Sequence, residues 1–121
     1  VLGEATVLVL GLAYKPNVGD IRTSAVGATI EELRDYGVSV LGYDPHADVA
    51  AAGEEFGIPV HEELAFDGVD GVLLATPHDE FSRIDFTAAA IEMAADPLVV
   101  DVMGVLNEDR YADSELTYRR I

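Results

Sequence analysis

Four short, almost unbroken apolar runs constrain what this chain folds into more than any other feature. They are Ala5-Thr6-Val7-Leu8-Val9-Leu10, Val38-Ser39-Val40-Leu41-Gly42-Tyr43, Val69-Asp70-Gly71-Val72-Leu73-Leu74-Ala75 and Leu98-Val99-Val100-Asp101-Val102. Runs of this length without clean alternation read as strands covered on both faces, and such strands belong to parallel sheets. Helical signals fall between them. Val26, Ile30 and Leu33 recur at helical spacing behind Ser24, a candidate N-cap, and Gly37 supplies the stop. An alanine-rich stretch over residues 47–56 ends at Gly57, and Asp85 is placed to cap a helix running to residue 95. A shorter run, Ile58-Pro59-Val60-His61, reads as a strand that its proline confines to an edge. Strands alternating with helices through short connections predict an α/β fold, a doubly wound, mainly parallel, Rossmann-like sheet of about five to six strands. It forms one domain over residues 1–121. Residues 107–121 are charged and weakly patterned, and are expected to need a neighbouring domain to become ordered.

At 121 residues, half of them hydrophobic, the chain is long enough to bury roughly two-thirds of its unfolded surface. It has no cysteine, which excludes disulfides, thiolate metal sites and a cysteine nucleophile. No apolar run approaches the roughly 20 residues of a membrane span, and no secretory start is visible. A cytoplasmic location away from membranes is therefore expected. The 23 acidic residues against 7 basic ones, a net charge of −16, make nucleic acid an unsuitable partner, because such a surface repels phosphate backbones. The apolar content argues against disorder. All the basic residues but Lys15 are arginine. Heavy acidity almost without lysine predicts a halophilic surface, on which concentrated salt screens the self-repulsion.

In a doubly wound sheet, ligands bind beyond the carboxyl ends of the strands, where the strand order reverses. With the first strand central and the Val69 strand beside it, residues 11–22 and 76–81 are the loops that face this crevice. Lys15 precedes Pro16, which biases it toward an extended backbone. Arg22 lies just ahead of a helix whose first amides favour anions. An ammonium, a guanidinium and a helix start in one loop suit phosphate groups. Neutralising Asp20 and the surrounding acidity is the competing role, and the spacing leaves both open.

Gly11-Leu12-Ala13 begins like a dinucleotide fingerprint, but alanine replaces its second glycine and Pro16 falls where a helix should open. Asp44 ends the second strand, where a ribose-binding acid would sit; without the glycine loop it reads instead as a turn and helix cap. His78 beside Asp79 and Glu80 reads as helix capping rather than a metal or acid–base site, since adjacent side chains point apart. His46 and His61 lack partners at ligand spacing and are expected in solvent. The pairs Glu31-Glu32, Glu54-Glu55 and Glu62-Glu63 are expected on outer faces, and Phe81 and Phe86 in the core. No metal site and no hydrolase arrangement of serine, histidine and aspartate is expected. A phosphorelay receiver needs its lysine after the fifth strand; here the lysine follows the first, so that reading fails on position.

The segment Gly11-Leu12-Ala13-Tyr14-Lys15-Pro16-Asn17-Val18-Gly19-Asp20-Ile21-Arg22-Thr23-Ser24 resembles the signature opening the C-terminal, UDP-binding domain of the UDP-glucose/GDP-mannose dehydrogenase family. The pattern there is roughly G-[LF]-[AS]-[FY]-K-x-x-[TS]-x-D-x-R-x-S. Tyr43-Asp44-Pro45, Thr76-Pro77-His78-Asp79-Glu80-Phe81 and Asp101-Val102-Met103-Gly104-Val105-Leu106 resemble later landmarks in the same order. The resemblance implies a two-step, NAD-dependent oxidation of a UDP-sugar C6 hydroxyl to a carboxylate. NAD would be bound mainly by an N-terminal domain, and a catalytic cysteine would lie in a middle region. This chain would then be the nucleotide-sugar-binding part, inactive alone, and the full-length protein a homo-oligomer.

The resemblance further implies that Tyr14 and Lys15 border the substrate's sugar and diphosphate, that Arg22 approaches the cofactor-facing side of the cleft, and that Asp20 supports the loop. Many members carry arginine or lysine after the fifth strand where this chain has Met103. UDP-glucose and UDP-N-acetylmannosamine both remain open as substrates, with the residues around His78 leaning toward the N-acetylamino sugars. The alternative is a stand-alone nucleotide-binding or assembly module without catalysis; the abrupt start at Val1 favours a truncated chain.

Overall fold

The structure, a computed structural model, describes residues 5–13, 17, 19–21, 25–102, 104, 106, 108–111 and 114–120. Strand β1 (Thr6–Leu10) lies inside the sheet, between β2 (Ser39–Tyr43) and β4 (Gly71–Leu74). Beyond β2 lies the short β3 (Val60–His61); beyond β4 lie β5 (Leu98–Asp101) and then β6 (Thr117–Arg120). Among the described residues the order is β3-β2-β1-β4-β5-β6 and every pairing is parallel. The doubly wound expectation is met, with β1 beside β4 and the proline-bearing strand at an edge.

The pleat of β1 explains its unbroken apolar run. Leu8 and Leu10 join a core with Val72, Leu74, Val99, Phe81 and Phe86, whereas Val9 joins a second core with Val26, Ile30, Val40 and Ala52. Each face needs its own apolar side chains, so from Val7 to Leu10 no position is left for a polar one. Phe81 and Phe86 are fully buried, as expected.

Helix α1 (Val26–Asp35) buries Val26 and Ile30 and leaves Glu31 and Glu32 exposed; its described N-cap, Ala25, provides no side-chain hydrogen bond, and Ser24 lies outside the described residues. Helix α2 (Val49–Phe56) starts later than expected. Its cap is Asp48, whose carboxylate accepts from the Ala51 amide at 3.1 Å, and Gly57 ends it at φ 66. Helix α3 (Phe86–Glu92) has the expected Asp85 cap, accepting from Thr87 and Ala88, but it ends short of residue 95 because Met93 turns extended and buries its side chain.

The end of the chain departs furthest from expectation. Residues 117–120 need no neighbouring domain. They pair with β5 from Leu98↔Thr117 to Asp101↔Arg120, and the Thr117 amide reaches the Pro97 carbonyl at 2.9 Å. Their pattern is weak because an edge strand is held by main-chain bonds to one neighbour while its side chains stay largely in solvent.

The acidic surface yields the first prediction. Raising KCl from 0.05 M to 2 M should screen the self-repulsion and stabilise the fold by about 1 kcal/mol, roughly 4 °C in Tm for a domain of this size. Thermal melts across that series read it out, and a flat profile refutes it.

Candidate functional site

At the carboxyl ends of β1, β2 and β4 the strand order reverses, and three loops converge there. Gly11 begins the loop after β1. Its φ of +92° turns the chain so closely over the loop after β4 that an added Cβ would stand 2.5 Å from the Thr76 carbonyl oxygen. The Gly11 amide donates to the Tyr43 carbonyl at 2.9 Å, and the Thr76 hydroxyl donates to the Ala13 carbonyl at 2.9 Å. The first loop is thus fastened to both of its neighbours.

Asp44 is the centre of the fastening. Its buried carboxylate accepts from the Leu12 amide at 2.7 Å, the Ala13 amide at 3.0 Å and the His46 amide at 2.8 Å, and it pairs with His78 Nε2 at 2.9 Å. His78 is fully buried as well, and its Nδ1 accepts the Asn17 amide at 2.7 Å. An Nδ1 that accepts leaves the proton on Nε2, which donates to Asp44. Burial alone would push the Asp44 carboxyl up, but the His78 hydrogen bond and the Leu12 and His46 amides outweigh it and hold the group below the ordinary carboxylate value.

The turn expected at Asp44-Pro45 is present in the Asp44–His46 bond, but the helix cap is not; Asp48 has that role. His78 likewise caps nothing with its side chain, since the ring is turned into the core toward Asp44. His46 is not alone in solvent. It is exposed, as expected, but it pairs with Glu80 at 2.8 Å and packs against the His78 ring at a centroid distance of 4.5 Å. Its hydrogen bond is the chief cause that keeps the Glu80 carboxyl low. Among the described residues no cluster suited to a metal ion occurs.

Tyr14, Lys15, Arg22 and Met103 lie outside the described residues, and Asp20 is partly buried. The anchors on either side of residues 14–16 are described. Ala13 is tied to Asp44 and Thr76, while Asn17, at φ 63°, donates its amide to His78 and accepts the Asp79 amide through Oδ1 at 2.9 Å. Further along, Gly19 is packed so tightly on the His46 carbonyl that no side chain fits. Sequence reasoning missed Asn17, Asp44 and His78 as loop-holding residues. The available signal was topological: Asp44 and His78 each follow a strand that flanks β1.

The same contacts decide against a dinucleotide site. The Leu12 and Ala13 amides, which would have to face a pyrophosphate, donate to Asp44, and the acid at the ribose position is buried with four partners. Among the described residues, those following Gly11 do not fit the pyrophosphate of NAD. A separate groove of about 730 Å³, lined by Ile91, Met93, Pro97 and Leu116, lies by the amino ends of β5 and β6; Asp96 and Glu115 on its wall suit no phosphate.

Among the described residues no helix is long and apolar enough to cross a membrane. Residues 8–108 match the UDP-glucose/GDP-mannose dehydrogenase family, UDP binding domain. Protein CapL of Staphylococcus aureus is 36% identical over 118 residues, covering 95% of this chain and 27% of the relative. UDP-glucose 6-dehydrogenase of Rhizobium meliloti is 32% identical over 119 residues, covering 95% of this chain and 26% of the relative. The structure of NDP-N-acetyl-D-galactosaminuronic acid dehydrogenase from Methanosarcina mazei Go1 superposes with a TM-score of 0.87 over 99% of this chain and 25% of that one; at 20% identity it shows the fold alone. The chain spans about a quarter of the length of the curated relatives it matches.

Proposed function

Because this chain belongs to the UDP-glucose/GDP-mannose dehydrogenase family, within its UDP binding domain, we propose that the carboxyl end of its sheet holds the nucleotide half of a UDP-sugar. The observation that carries the reading is that the described residues on either side of 14–16 are fastened at the switch point, Ala13 to Asp44 and Thr76, and Asn17 to His78. Flanks held in this way lower the ordering cost of binding there, and preorganisation of that kind strengthens affinity. In this reading Lys15 meets the diphosphate, Tyr14 borders the sugar, Arg22 faces the cofactor side and Asp20 supports the loop.

The wider activity follows as part of the same proposal. The chain acts as the substrate-binding domain of a cytoplasmic, homo-oligomeric, NAD-dependent UDP-sugar 6-dehydrogenase. NAD supplies the hydride acceptor when bound, and an N-terminal domain and a middle region of a longer protein hold it and carry the cysteine that this chain lacks. What the residues here do is bind and orient the nucleotide while Asp44 and His78 keep the loops together.

Calorimetric titration with UDP and with NAD tests this. UDP should bind and perturb amides at residues 12–20 and 76–80, and NAD should not. Lys15→Ala should weaken UDP about tenfold or more, the loss of one charge-assisted contact, and Lys15→Arg should not restore it. Equal binding of UDP and NAD, or unchanged affinity in Lys15→Ala, would refute the assignment. A parent chain that binds neither favours the assembly-module alternative.

A further inference from the structure

A second cation stands at the same end of the sheet. Asp101, at the end of β5, is fully buried. Its Oδ2 accepts the Leu106 amide at 2.8 Å and the Tyr118 hydroxyl at 2.6 Å, and among the described residues its Oδ1 has no partner. The Tyr118 oxygen in turn accepts Arg120 Nε at 3.1 Å, and Arg120 Nη2 donates to the Leu106 carbonyl at 2.6 Å. Tyr118 stacks on buried Tyr111 with centroids 5.7 Å apart, and the guanidinium lies 5.9 Å from the Tyr118 ring centre. Five donors on a planar group are thereby aimed by a phenol, a carbonyl and a ring.

The guanidinium has one acid within ion-pair distance, but its hydrogen bonds go elsewhere. In a chain with 23 acids, its two hydrogen bonds go to uncharged oxygens, and the acid nearest Nε, Glu108, stands 3.7 Å away with an exposed side chain. The Arg120 side chain is 42% exposed, and among the described residues Nη1 makes no hydrogen bond. The register Asp101↔Arg120 puts it level with the carboxyl end of β5. Gly104, at φ +66°, passes beneath it, where an added Cβ would meet Arg120 Cδ at 3.5 Å. With strands about 4.8 Å apart, β1 ends roughly 14 Å from β6, and the guanidinium is drawn back toward β5 by Tyr118, whose hydroxyl is bonded to Asp101.

We propose that Arg120 is a second cationic contact for the diphosphate of the bound nucleotide, aimed by Tyr118 and Asp101 from the sixth strand. This rests on the nucleotide-binding reading above. Lys15 and Arg120 then hold the phosphates from the β1 side and the β5 side of the crevice, and Glu108 competes with the phosphates for the guanidinium.

The test is UDP affinity at fixed salt for the parent and four variants, with melting temperatures recorded alongside. Arg120→Gln should weaken UDP about tenfold, and Tyr118→Phe, which keeps the charge but removes the acceptor for Nε, about threefold. Glu108→Gln should tighten UDP about twofold, and combining it with Arg120→Gln should abolish that gain. A purely structural Arg120 would lower the melting temperature without linking Glu108 to UDP. Parent binding with unchanged affinity in Arg120→Gln, or a Glu108→Gln gain that survives in the double variant, overturns this assignment and leaves the nucleotide site standing. A parent that binds no UDP removes both. Should Arg120→Gln fail to fold, Tyr118→Phe and Glu108→Gln decide it: no change in either overturns the proposal.

Discussion

Asp44→Ala is expected to cost the fold about 3–5 kcal/mol, since three buried donors lose one charged acceptor at about 1–3 kcal/mol each. The substitution strands the Leu12 and Ala13 amides and the His78 Nε2 proton in a space closed to solvent. Replacing them by water is not open to these groups, because both side chains of the pair are fully buried. Asp44→Asn keeps one acceptor oxygen but turns an amide toward the donor of a neighbour, so a loss of about half that size is expected. Urea denaturation at pH 7 measures both, and a loss in Asp44→Ala below about 1 kcal/mol would show that the loops hold without this carboxylate.

The same residue has a pH signature. Its folded pKa lies below the ordinary value of 3.8. The stabilisation it contributes is therefore complete above that value and disappears as the pH falls through the lower, folded one. The parent should lose stability on that acid limb, and Asp44→Ala should show a shallower loss there.

Gly11→Ala should be comparably damaging, by about 3 kcal/mol or more, because two penalties coincide. The φ of +92° is strained for any residue with a Cβ, and that Cβ would stand 2.5 Å from the Thr76 carbonyl oxygen and 2.7 Å from its nitrogen. Those are backbone atoms, which cannot rotate away. Gly68→Ala separates the penalties: its φ is +70° but nothing lies within 4 Å, so only the strain of about 1–2 kcal/mol remains. Because Gly11 also carries the contact between the loops after β1 and β4, its variant should lose UDP binding even under conditions where it stays folded. Equal urea midpoints for the two glycine variants would refute the close-approach argument.

Much of this molecule was legible before its structure. The runs around Leu8, Val40, Leu73 and Val99 announced strands covered on both faces, and the sheet covers them so. Pro59 announced an edge, and β3 is one. Asp85 and Gly57 carry their chemistry locally: a carboxylate reaching amides two and three residues on, and a backbone free to turn left-handed. In each case the deciding partner lies within a few residues, or the deciding property is the solvent preference of the side chain itself.

The candidate site was legible only in outline. The Lys15 loop was found because it follows the strand that topology puts at the switch point. Asp44 and His78 were misread because the partners that decide their roles are 31 to 61 residues away, and nothing local separates an aspartate that caps a helix from one that holds another loop. Glu80 gave no sign that it would reach His46. The sixth strand was hidden for a related reason: Thr117–Arg120 has no apolar stripe, and only the free edge of β5 makes it a strand. Periodicity and composition, being sums over near neighbours, determined the α/β class, the order of elements and the place of the crevice. Which polar groups meet in that crevice was decided by tertiary structure alone, because a buried hydrogen bond depends on the separation in space of two groups that the chain keeps far apart.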